Sequence, residues 1–230
     1  MTADRAEAPH PGRTAVAAVG WLVFGGIIIP FSLAFLLGLT GLESSPFEYL
    51  MAGLIVVTGA CLGGRGFGRR LARINGSPEV RRVGRAAAAS YGPAVIVAGL
   101  VLGFGEPAAF RATQSLGLPI HVLFQMMFVP AVFLVVAVTG LAIGHALRHS
   151  PAREVALKPG AVAALGFLLS TLIQDLLGRR VGGPGAAATA TMVTVAFSGA
   201  LVAAAAGGAM MHLVLHQHAV SGIAGESDRG

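Results

Sequence analysis

The stretch Ile120–Leu147 reads IHVLFQMMFVPAVFLVVAVTGLAIGHAL, and it decides the class of fold. Its centre, Ala131-Val132-Phe133-Leu134-Val135-Val136-Ala137, is apolar on every face, so a helix built from it has no side to turn to water. A bilayer core about 30 Å thick takes roughly 20 apolar residues at about 1.5 Å of rise each. A membrane β-strand would instead alternate apolar and polar residues over a shorter run. The segment therefore predicts a transmembrane helix.

Working outward, five further apolar runs predict spans at Ala15–Leu39, Phe47–Gly64, Ala86–Gly103, Ala161–Leu177 and Ala186–Leu215, the fifth of the six in chain order being the shortest. Apolar residues make up 55% of the 230 residues and charged ones 11%, with a mean hydropathy of +0.77. Soluble domains carry roughly 25% charge, so the composition points to lipid as solvent. The expected fold is all-α: a polytopic bundle of six transmembrane helices over 15–215, between tails at 1–14 and 216–230, with no room for a separate soluble domain. The first run is too long for a signal peptide and lacks a small-x-small cleavage site, so it is read as a retained span. Cys61, the single cysteine, lies within the second span and has no intrachain partner for a disulfide.

Charge orients the bundle. Thirteen of the sixteen basic residues fall in alternate connections that share one side, against Arg111, Arg179 and Arg180 on the other. With the acidic residues the balance is +7 on the first side and −1 on the second. The positive-inside rule puts both termini in the cytoplasm and the chain in the plasma (inner) membrane. Seven of the arginines, Arg65, Arg69, Arg70, Arg73, Arg81, Arg82 and Arg85, crowd the connection between spans two and three, where anionic lipid head groups are the expected partner. Nucleic acid is not expected, because that connection carries one Phe and no Tyr or Trp on which bases would stack. Phe67, Leu71 and Ile74 would dip into the membrane interface if the second helix continues past Gly68, and Asn75-Gly76-Ser77-Pro78 marks a turn. A short interfacial helix is expected to begin near Pro107 on the other side.

Pro30 and Pro130 predict bends within spans one and four. Val57-Thr58-Gly59 with Gly63, and Val138-Thr139-Gly140 with Gly144, are matching small-xxx-small faces; Ser198-Gly199 with Ala203, then Ala204 with Gly208, echo them. Such faces let helix backbones approach closely, within one bundle or across a homo- or hetero-oligomer.

Two pairs of histidines supply the most explicit chemistry. His145 and His149, and His212 and His216, are each four residues apart at the cytoplasmic ends of spans four and six. Residues at that spacing share a helix face, so two neighbouring helices would offer four imidazoles to a transition metal. His145 opposite His212 would alternatively ligate haem b axially, with Met210, Met211 and His218 nearby in sequence. Their place at head-group level suits ordinary interfacial histidines equally well. Near the outer face, His121, Gln174 and Asp175 form a second candidate polar site, with Glu48, Glu106, Gln125 and Arg179 close in the predicted topology. Asp175 and Arg179 also have the spacing of a helical ion pair.

No ionisable residue falls at the midplane of a span, and no Walker A, His-Glu-x-x-His or Gly-x-Ser-x-Gly pattern is present. The expected function is accordingly that of an accessory, assembly or scaffolding membrane subunit without catalytic machinery. A small transporter or permease subunit, and a haem- or metal-binding redox subunit, are the two alternatives.

Overall fold

The computed structural model describes residues 11–25, 45–117, 120–147, 151–177 and 186–227. These form six helices and, among the described residues, no strand: α1 Pro11–Val23, α2 Ser45–Ile74, α3 Val80–Ser115, α4 Ile120–Ala146, α5 Ala152–Leu176 and α6 Ala186–Ser227. Four of them, α3 to α6, are long and apolar enough to cross a membrane. Leu165, Leu169 and Ile173 on α5 are at least half exposed, as are Leu100 and Val101 on α3. An apolar exterior of this kind is stable only against lipid. The chain is a helical membrane protein.

Four helices exceed the predicted spans. α2 continues through four arginines to Ile74, and α3 runs unbroken past Pro107, where a separate interfacial helix was expected. α5 begins nine residues before Ala161, because Glu154 and Lys158 pair along one helix face instead of lying in a loop. α6 extends past Leu215 to Ser227. Pro130 lies within α4, while Pro30 is outside the described residues.

Each helix packs on the next, and α6 returns to α1, so the six close into a ring. α4 also touches α6 directly, which leaves α5 lying across that pair on the outside. Consecutive helices are antiparallel, and glycine sets their spacing. A Cβ at Gly25 on α1 would come within 2.5 Å of the Gly59 carbonyl oxygen on α2, and one at Gly144 on α4 within 2.5 Å of Ala152 Cα on α5. Gly208 on α6 abuts Ala18 and Thr14, which joins the last helix to the first. The matched faces seen in sequence are thus occupied inside the chain. Thr58 and Thr139 make the same bond in the two patterns, each hydroxyl donating 2.8 Å to the carbonyl four residues earlier.

The turn at Asn75–Pro78 is present. Ser77 N donates to Ala72 O at 2.9 Å, Asn75 Nδ2 donates to Leu71 O at 2.9 Å, and Gly76 adopts φ +65°, a conformation glycine reaches without strain. Behind this turn a tightly filled cluster draws on five helices: Leu71, Val83, Ile143, Val155 and Val214 are each at most 1% exposed. Leu71 was expected to face the membrane interface with Phe67. Instead it is fully buried in protein, because α3, α4, α5 and α6 all converge on that side of α2. A second cluster, centred on Phe167 with Phe128 stacked 6.0 Å away, joins α4, α5 and α6.

Candidate functional site

Between these two clusters the ring surrounds a partly open cavity of about 370 Å³. Its wall comes from α1, α2, α3, α4 and α6, with α5 excluded by the α4–α6 contact. Val132, Val135 and Val136, near the middle of α4, lie on the wall, so the cavity reaches the interior of that span. One part of the wall is small: Gly63, Gly64, Ala203, Ala204, Gly207 and Gly208 recede where larger side chains would have filled the space. Phe67, Trp21 and Phe128 supply aromatic surface.

Among the described residues, no charged side chain lines the cavity. Its polar groups are few and their states differ. Thr139 spends its hydroxyl proton on the Val135 carbonyl. Tyr91 and Trp21 also line the cavity, and neither the hydroxyl nor the indole N–H has a hydrogen-bond partner among the described residues. Trp21 is held in place by Gly66, whose missing side chain makes room for the indole, and by an edge-on contact with Phe24 at 5.3 Å. Tyr91 is placed where its Cβ packs over Gly64. A concave, mostly apolar space with a small number of polar groups is the usual form of a small-molecule site.

No protein-family model, curated protein or solved structure matches this chain. Its chemistry must therefore be argued from its own residues.

The histidines share one end of the bundle but differ in setting. His212 is 2% exposed, and its ring stacks on that of His216 with centroids 5.9 Å apart and planes at 14°. His145 is exposed, and its Nδ1–H donates to the Leu141 carbonyl at 2.9 Å within its own helix. His149 lies outside the described residues. Among the described residues, no three His, Cys, Asp or Glu side chains gather as a metal would require. His218 reaches across to α5, 3.5 Å from Glu154, which also pairs with Lys158.

Of the outer polar group, Gln174 is brought into an interhelical contact that sequence spacing did not reveal. Its Nε2 donates to Ser198 Oγ on α6 at 2.8 Å, while its Oε1 is buried with no hydrogen-bond partner. Gln125 on α4 joins from the other side, 3.4 Å from Thr171 Oγ1. Asp175 is half-buried beside it; the side chain of His121 and the whole of Arg179 lie outside the described residues. The predicted basic connection is a helical hairpin tip. Arg65, Arg70, Arg73, Arg81, Arg82 and Arg85 are exposed, and Arg69 lies half-buried over Gly84. Arg82 pairs with Glu79 at 3.3 Å, and the other six make no ion pair among the described residues.

Tyr91 and Trp21 are the residues that sequence reasoning passed over. The available signal was an isolated tyrosine in a span otherwise built mainly from Ala, Gly, Val and Leu, opposite an Ala- and Gly-rich sixth span. Small residues were read only as packing faces, and several of them border a space.

Proposed function

We propose that this protein is a small transporter or permease subunit of the plasma membrane, with six spans, both termini cytoplasmic, and a central site for a small molecule. The observation that carries the reading is the 370 Å³ cavity, partly open, lined by five helices and reaching the middle of α4. A subunit that only braced partners would gain from filling such a space, since an empty one forfeits packing contacts on all its walls. The bend expected at Pro130, beside the cavity wall at Ala131, gives α4 a joint about which the two ends can reorient.

Two cysteine probes in a Cys61→Ala background test this. Val135→Cys, on the cavity wall, is expected to react with a small methanethiosulfonate reagent supplied from either side of sealed vesicles. Reaction from one side only, or from neither, would return the protein to the accessory class. Ser77→Cys, in the α2–α3 turn, is expected to resist an impermeant maleimide in intact cells and to label after permeabilisation. Labelling in intact cells would invert the topology.

The accessory or assembly reading retains one specific observation, the hairpin tip with six arginines free of ion pairs. Anionic head groups of the cytoplasmic leaflet are the partner that its charge and position favour, at about 1 kcal/mol per basic residue near the surface.

A further inference from the structure

Resting on the reading of the cavity as a binding site, we infer that its ligand is a neutral, single-chain lipid-like molecule with an oxygen acceptor at one end, such as an ester, ketone or alcohol. Three observations select this class. The first is that, among the described residues, no charged side chain lines the wall, which leaves a buried ionic head group without a counter-charge there. Carboxylates, phosphates and ammonium compounds are thereby disfavoured inside it.

The second is size. At about 30 Å³ for each water-sized unit, 370 Å³ holds roughly a dozen heavy atoms. That accommodates one medium alkyl or prenyl chain with its end group. The third is the pair of donors. Tyr91 and Trp21 line the cavity, and neither the hydroxyl nor the indole N–H has a hydrogen-bond partner among the described residues, whereas the Thr139 hydroxyl is committed to its own helix. A ligand oxygen that accepts from either one satisfies a group that hydrocarbon alone would leave unpaired. A purely hydrocarbon ligand lacks this gain, and a charged one must shed its hydration without recompense.

Gly99 offers a means of closing the site without disturbing its frame. It lines the cavity, and a Cβ there would meet nothing within 4 Å, so a leucine would extend into open space. Trp21 is the only tryptophan of the chain, so its fluorescence reports this wall alone.

The experiment uses the full chain in phosphatidylcholine nanodiscs, titrated with methyl 11-bromoundecanoate, with 11-bromoundecanoate at pH 9, and with 1-bromoundecane, bromine being a contact quencher of tryptophan. The ester is expected to quench Trp21 saturably, and Gly99→Leu to abolish the saturable part. Tyr91→Phe is expected to weaken the ester about fivefold and to leave the bromoalkane unchanged, which separates a lost hydrogen bond from a collapsed cavity. The anion is expected to quench only in linear proportion to its partitioning. Saturable quenching by the anion at equal or higher affinity would overturn the assigned class while leaving the cavity reading intact. If none of the three probes quenches saturably, the cavity reading itself falls. Ester quenching that neither variant alters would overturn the inference by placing the probe elsewhere on Trp21.

Discussion

At Gly140 on α4 an added methyl group would overlap the Val155 carbonyl oxygen of α5, whereas at Gly99 on α3 it would meet nothing within 4 Å. Both glycines sit in apolar membrane helices, and composition alone would treat them alike. In the first case the missing side chain brings two backbones together. In the second it borders space that the ring holds open. Hydrocarbon provides no hydrophobic drive between helices, so association rests on van der Waals contact. A seam like that at Gly140 supplies the contact, and its rigidity lets another part of the ring remain unfilled.

The sharpest way to break this comparison is to make the same change at both places. Gly140→Ala is expected to destabilise the fold by about 2 kcal/mol or more, since the obstacle is backbone and cannot swing aside. An SDS-unfolding titration from mild detergent would show the loss as an earlier midpoint. A midpoint unchanged from wild type would mean that the seam is loose and that the contrast is false. An intermediate effect is expected at the α5–α6 contact. Ser198→Ala removes the partner of the buried Gln174 amide and should cost about 1 kcal/mol in the same titration, whereas Gln174→Leu removes donor and unpartnered acceptor together and should cost less. The reverse order would show that the Gln174 acceptor is satisfied in the membrane. The smallest effect is expected at Gly99→Ala, with the opposite sign. Alanine favours the helix over glycine by up to about 1 kcal/mol and meets no obstacle there, so the midpoint should hold or rise.

The helices were legible where a single physical cause acted. The run Ile120–Leu147 gave α4 almost to the residue, because a segment apolar on every side has one stable state in lipid. Its neighbours were longer than their apolar parts. Arg153, Glu154 and Lys158 resembled a loop, yet at helical spacing they support the first turns of α5. Pro107 resembled a start and proved internal to α3; proline is tolerated within membrane helices when surrounding groups satisfy the freed backbone.

Periodicity identified Phe67 and Leu71 as sharing a face but not what covers it, and the cover proved to be protein. The stacking of His212 on His216 depends on side-chain directions that spacing does not specify. The cavity was least legible of all. A void belongs to several helices at once, and Tyr91 gains meaning only when Gly63, Gly64 and Gly208 stand around it.

The contact of Gly208 with Thr14 and Ala18 also constrains how the protein is made. At 5–20 residues per second, roughly ten to forty seconds of translation separate these two parts of the chain. Throughout that interval α1 is without the helix that covers Thr14, whose side chain is fully buried in the finished ring. α1, made well before α6, is thus among the last helices to acquire all its neighbours. A ribosome stalled before α6 would leave in the membrane an open arc with two unsatisfied flanks, a natural target for membrane quality control.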